Sequence, residues 1–336
     1  MESLGFPPDA RLSQGSMIRA AQEAKADYAL LGHYKTEGNS IGLSVRIFDL
    51  HTLKYGGTMS AGGPLSALPQ MENELAWLIL SNTGLRESLS RSQFKARMRK
   101  IPDSAFKLYI QSLRSSNKSE IRGLLKSAVE TFKDFPEAHW RLGGLYFHEG
   151  NCKNALPHLK SAVKTPYFRS KGAFMMGTCL LQMGASGEAV RVLAPIKEKG
   201  HSIEVFNNLG VAYLRSGEYT LALKVLQEAS AVDPMNPVVF LNLALTRHLM
   251  GDEAGAMYTA EEATKANPGD RMLNFFHGFL LQNRGKSDAA SEISSRTQIP
   301  RTDIEKLLLE PPQSWSLLFQ DWAQSDAPNW AEIWMD

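Results

Sequence analysis

The sequence predicts a mainly α-helical chain: a solenoid of helix–turn–helix repeats preceded by a small α/β module. Two observations predict the solenoid and a third predicts the module. Small residues recur in register. Gly143, Gly177, Gly210, Ala244 and Gly278 step by 34, 33, 34 and 34 residues, and two further columns keep the same steps: Gly150, Gly184, Gly217, Gly251, Gly285 and Ala155, Ala189, Ala222, Ala256, Ala290. Three columns at one period are the mark of a repeat architecture. Between them the apolar residues are spaced as on a helix, as in Phe206, Leu209 and Tyr213 at i, i+3 and i+7. Residues 1–85 do not repeat. There "IGLSVRIFDL" sets Ile41, Leu43, Val45 and Ile47 against Ser44 and Arg46, the alternation of a strand.

In chain order, "SMIRAAQEAKA" reads as a first helix with Ser16 as its cap. "DYALLGHYK" reads as a buried strand and "TEGNS" as a turn into the alternating strand. "YGGTMSA" is a third, short strand, although the glycines of "YGGTMSAGG" also read as turns. Leu65, Leu68, Met71, Leu75, Leu78 and Ile79 then trace a helix. The order helix, strand, strand, strand, helix makes an α/β or α+β module.

The phrase "AKADYALLGHYKTEGNSIGLSVRIFDLHTLK" resembles the N-terminal α/β module of bacterial TolB and related envelope proteins over about 60 residues. Such modules begin with a further strand and helix. This chain starts about where the second half would start, so either its strand order differs or the module is entered at its second half, in which case an unpaired edge is expected beside "DYALLGHY". The N-terminus lacks the basic and apolar regions of a signal peptide, so the chain as written is expected in the cytoplasm. Preceded by such a segment, it would be expected in the periplasm or envelope.

Residues 86–102 form a basic linker. "RESLSRSQFKARMRK" concentrates its cations at the end and reads as a solvated helix, or as a contact for an anionic surface. The repeats occupy 103–300 as five to six units. In the clearest, Gly217 ends a first helix where a left-handed residue is needed. Leu223, Val225 and Leu226 around Ala222 and Ala229 form a second, which Asp233-Pro234 stops. Helix axes at the near end of the usual 8–10 Å range need small residues at the crossing. Gly210 and Ala222 are therefore expected where helices of one unit and of adjacent units cross. "AFKLYIQSLRSSNKSEIRGLLKSAVE" keeps Leu125 and Ala128 in the repeat register but lacks the glycines, as a degenerate first unit would.

This pattern resembles the tetratricopeptide repeat (TPR), a helix–turn–helix unit of about 34 residues. Leu209-Gly210, Tyr213, Ala222, Leu226, Ala229 and Pro234 match it, as do Leu142-Gly143, Tyr146, Ala155, Leu159 and Ala162. The resemblance implies a TPR-type α-solenoid whose first helices line a concave surface. Mapped residue by residue, the implied peptide-groove candidates are Trp140, Phe147, His148, Phe174, Thr178, Gln182, Asn207, Arg215, His248, Phe275, Phe279 and Gln282. Asn208 and Asn242 add two rungs like the asparagine ladders that hold peptide backbone in some members. The Lys/Asn/Arg carboxylate clamp of chaperone-binding members is not matched, since Trp140, Gly144, Asn207 and Val211 stand at its places. Several aromatics could instead pack between units.

Residues 301–336 hold Trp315, Trp322, Trp330 and Trp334, with five acids and no Lys or Arg after Lys306. Exposed tryptophans are costly. The segment reads as a cap over the last repeat, or as a docking segment for a partner or for the chain's own groove.

The charge balance, 37 Lys plus Arg against 35 Asp plus Glu, gives no argument for nucleic acid. No apolar run reaches the length of a membrane span. Cys152 and Cys179 are not a disulfide framework, and Cys179 reads as a buried, inert thiol. His139, His148, Cys152 and His158 lie close in sequence but lack the tight pairs of a structural zinc site. No phosphate-binding glycine motif follows a strand, and no catalytic triad stands out. The expected function is therefore non-catalytic. The chain reads as a scaffold that binds a protein or peptide segment in the groove, without cofactor, metal or nucleic acid. The alternative is a ligand-binding or enzymatic α/β module carried by a repeat arm. If residues 312–336 cap the array, deleting them lowers the melting temperature by several degrees; unchanged melting makes them a docking segment.

Overall fold

A computed structural model describes residues 13–286 together with Asp288, Ala289 and Glu292, apart from residues 24, 85–89, 99, 198–201 and 235. Ala290 and the tryptophan-rich segment 301–336 lie outside the described residues. The chain divides into two compact units, residues 1–138 and 139–336.

The first unit follows the expected order. Helix α1 (Gln14–Glu23) leads to strands β1 (Tyr28–Glu37), β2 (Ser40–Asp49) and β3 (Lys54–Pro64). A 3-10 turn (Leu65–Ala67) opens helix α2 (Leu68–Asn82), followed by α3 (Arg91–Arg97), α4 (Asp103–Arg114) and α5 (Lys118–Thr131). The sheet is an antiparallel meander, β1-β2-β3, with Tyr28 opposite Asp49 and Ser40 opposite Pro64. Gly38, at φ +58, supplies the left-handed residue of the two-residue β1–β2 turn. In the next turn the Asp49 carboxylate accepts from the backbone N–H of His51 (2.8 Å) and Thr52 (3.0 Å). These bonds, the Thr52 one foremost, hold its pKa below the usual value.

The predicted face of β2 is the buried one. Leu43, Val45 and Ile47 join Met59 and Ala61 of β3 against Leu75, Leu78 and Ile79 of α2. Three sequence expectations change. The first helix is capped by Ser13, whose Oγ accepts from Ser16 N–H at 3.1 Å, while Ser16 lies inside the helix. Gly56, Gly57, Gly62 and Gly63 are not turns but part of a full-length β3. β1 is not a buried strand: Leu31 is buried, but Leu30 is 53% and Tyr34 75% exposed. The reason is topological, since β1 is an edge and α2 packs on the β2–β3 side of the sheet. Helices α4 and α5 pack as a pair, with Leu125 and Ala128 fully buried.

Helix α6 (Pro136–His148) leads into the second unit, built of consecutive helix pairs. These helices are α7 (Cys152–Ala162), α8 (Arg169–Gln182), α9 (Ser186–Lys197), α10 (Ile203–Arg215), α11 (Tyr219–Val232), α12 (Pro237–Leu249), α13 (Glu253–Ala266) and α14 (Arg271–Asn283). First helices α6, α8, α10 and α12 pair with second helices α7, α9, α11 and α13. The fold is thus a TPR-type α-solenoid preceded by a small module of three strands and flanking helices.

Each small-residue column has its own physical reason. In the first, Gly143, Gly177 and Gly210 each sit under a leucine of the partner helix. A Cβ on Gly177 would lie 2.4 Å from Leu193 Cγ, and one on Gly210 would lie 2.6 Å from Leu226 Cγ. The alanine column, Ala155, Ala189, Ala222 and Ala256, is fully buried. The second glycine column turns the chain: Gly150, Gly184, Gly217, Gly251 and Gly285 have φ between +67 and +79. After each, the same i→i−5 hydrogen bond closes the helix: Asn151 to Tyr146, Ala185 to Leu180, Glu218 to Tyr213, Asp252 to Arg247 and Lys286 to Leu281.

The cysteines correct the sequence reading. Cys152, opening α7, and Cys179, in α8, form a disulfide with Cα atoms 5.0 Å apart. They lie 27 residues apart, and stacking brings the second helix of one repeat onto the first helix of the next. Linear spacing does not display that neighbourhood, and Cys179 is no free thiol.

Two measurements test this packing. Gly210→Ala is expected to cost about 1–3 kcal/mol by overpacking. Gly123→Ala, on an exposed stretch of α5 where a Cβ meets nothing within 4 Å, is neutral or stabilising by up to about 1 kcal/mol. Reducing the disulfide is expected to cost roughly 3–4 kcal/mol, seen as a lower melting temperature under reductant and no such shift in a Cys152→Ser/Cys179→Ser chain.

Candidate functional site

The candidate surface lies on the first helices of the second unit. Two sets of polar residues run along them, one buried and one accessible, and the accessible set keeps close to the repeat period.

The buried row is a chain of side-chain hydrogen bonds across three repeats. Asn242 Nδ2 donates to Asn207 Oδ1 (2.8 Å), Asn207 Nδ2 to Asn208 Oδ1 (3.3 Å), and Asn208 Nδ2 to Thr178 Oγ1 (2.9 Å). The Thr178 hydroxyl then donates to Phe174 O at 3.1 Å. All four side chains are fully buried. Desolvated amides are costly unless paired, and these bonds use the Nδ2 groups of Asn207, Asn208 and Asn242, while Asn242 Oδ1 is buried without a hydrogen-bond partner.

The accessible row stands at or near the C-terminal ends of the same helices: His148, Gln182, Arg215, His248 and Gln282, spaced 34, 33, 33 and 34 residues apart. His148, Gln182 and Gln282 are exposed; Arg215 and His248 are half-buried. Two of these side chains also tie repeats or helices together. Arg215 Nη1 donates to Leu181 O of the preceding repeat at 2.8 Å, and His248 Nδ1 lies 2.8 Å from Glu253 Oε1.

The fourteen sequence-predicted residues therefore divide. Trp140, Thr178, Asn207, Asn208, Asn242 and Phe275 are buried. Trp140 stacks on Phe168 with ring centroids 5.2 Å apart. Phe147, Phe174, Arg215, His248 and Phe279 are half-buried; His148, Gln182 and Gln282 are exposed. Phe279 and His248 meet edge to face at 5.5 Å, which carries an aromatic surface from one repeat to the next.

One pair escaped the sequence reading. His139 of α6 and His158 of α7 meet with Nδ1 atoms 2.9 Å apart, and Tyr146 stacks on His158. Cys152 is drawn away into the disulfide, so the sequence cluster is dispersed. Among the described residues no group of three or more His, Cys, Asp or Glu is arranged to hold a metal ion. Nor is any described helix long and apolar enough to cross a membrane.

A family model described as TPR repeat matches residues 210–251, from the end of α10 through α11 and α12. Those residues match a TPR repeat, and the helix pairs on either side follow the same period. As a TPR array it is a protein-interaction scaffold. Solved structures with a similar fold include "MamA 41-end from Desulfovibrio magneticus RS-1", 18% identical, covering 52% of this chain and 97% of that one with a TM-score of 0.45. "Crystal structure of MamA" is 20% identical, covering 49% and 95%, with a TM-score of 0.43. No curated protein matches the sequence.

The amide chain is directly testable. Asn242→Ala removes the donor to the buried Asn207 Oδ1 and is expected to cost about 1–3 kcal/mol in urea unfolding. The exposed Gln182→Ala is expected to change stability by no more than about 0.5 kcal/mol.

Proposed function

We propose that the first helices of the TPR array bind an extended or helical segment of a partner protein. The observation that supports this best is the accessible row His148, Gln182, Arg215, His248 and Gln282. It offers one polar side chain per repeat at a near-constant interval. Amides and imidazoles can donate to and accept from a peptide backbone whatever its sequence. The half-buried Phe147, Phe174 and Phe279 beside them offer apolar surface for a ligand's side chains. Recognition of this kind takes affinity from backbone bonds and specificity from side-chain pockets. In this reading the buried Asn207, Asn208, Asn242 and Thr178 do not touch ligand and instead hold the accessible row in register.

The test is a peptide-display selection on the intact chain, followed by titration of selected peptides against His148→Ala/Gln182→Ala/Gln282→Ala. All three side chains are exposed, so the fold is retained. Affinity is expected to fall about tenfold or more. Peptides that bind both chains equally would sink the reading.

A further inference from the structure

The first unit contains a cavity that the repeat array does not explain. It has a volume of about 250 Å³ and lies between α2, α3 and the segment leading to α4. One face of α2 (Gln70, Asn73, Trp77) meets one face of α3 (Arg91, Phe94, Lys95) and Met98 just after it. Its floor is aromatic: Trp77 and Phe94 are both buried, with ring centroids 5.4 Å apart. Helix α3 is held in place by a reciprocal cap, Ser90 Oγ accepting from Gln93 N–H and Gln93 Oε1 from Ser90 N–H. The rim is cationic. Arg91, Lys95 and Lys100 line it against a single acid, Glu74, which pairs with Arg91. Lys95 and Lys100 are exposed and have no carboxylate partner among the described residues.

Size and charge together define an occupant. At about 30 Å³ per water, the cavity holds the equivalent of roughly eight waters, enough for one ring system. Cofactor sites run from about 300 to 1,000 Å³. The buried aromatic floor favours a ring, through stacking and edge contacts. The two unpaired ammonium groups favour carboxylates beside that ring.

We infer that this cavity is a docking site for an acidic peptide segment of a partner protein, which inserts one tryptophan or phenylalanine ring over Trp77 and Phe94 and sets flanking carboxylates on Lys95 and Lys100. The site belongs to the first unit alone, so it is independent of the groove proposed on the repeats. The basic stretch that reads as a linker in sequence becomes, in this reading, one wall of a recognition pocket.

The chain's own residues 312–336 have the required chemistry, with four tryptophans, four acids and no Lys or Arg, and supply the probe. A fluorescein-labelled peptide of that sequence is titrated against the full chain by anisotropy, with circular dichroism as a check on folding. Binding is expected to weaken about tenfold in Lys95→Gln/Lys100→Gln, and to weaken as salt rises from about 50 to about 500 mM. A peptide with every tryptophan replaced by alanine is expected to lose binding, and the His148→Ala/Gln182→Ala/Gln282→Ala chain to keep it. Three results would overturn the proposal: no binding of the probe, equal affinity for the wild-type and Lys95→Gln/Lys100→Gln chains, or loss of binding in the repeat variant instead.

Discussion

The second unit depends on one contact, repeated: a side chain missing on a first helix and a leucine of the second helix filling its place. Gly177 takes Leu193 and Gly210 takes Leu226, at distances that leave no room for even one methyl group. That contact sets how near the two helices of a repeat approach. The left-handed glycine between them sets the angle at which the chain returns, and the alanine column lets the pair close. Because the three devices recur at one period, each repeat presents its neighbour with the same surface.

That regularity gives the polar rows their order. Stacking brings neighbouring first helices close enough for a short side chain on one to reach a nearby position on the next. Thr178, Asn208, Asn207 and Asn242 use this inside the array, where pairing offsets the cost of burial. His148, Gln182, Arg215, His248 and Gln282 stand at a similar interval where solvent and ligands can reach them. Rigid spacing with variable surface chemistry is what an interaction scaffold needs, because the packing residues leave the others free to differ. The Cys152–Cys179 bridge adds a covalent tie between neighbouring repeats.

The first unit uses other physics. A three-stranded meander is too small to be stable alone, so one face takes α2. Helix α2 serves two neighbours. Leu75, Leu78 and Ile79 go to the sheet, while Trp77 goes to Phe94 of α3. An aromatic contact of this kind turns a basic stretch that is unremarkable in sequence into a lined cavity.

By itself the sequence determined the solenoid, its helix pairs, its turns and its packing columns, because these depend on local periodicity and on two local requirements: glycine at positive φ and a small residue where the two helices of a pair cross. The alternating core face of β2 was legible for the same reason. Whatever depends on which elements become neighbours was decided by the tertiary structure. Nothing local marks Cys152 and Cys179 as partners, and α7 stacking on α8 makes them so. Asn208 and Asn242 look the same on paper whether they face ligand or lie inside, and inter-repeat hydrogen bonds settle that they are internal. "DYALLGHYK" is apolar enough for a buried strand, yet its place at the sheet edge leaves Leu30 and Tyr34 exposed. Burial belongs to neighbours, and only the folded chain assigns them.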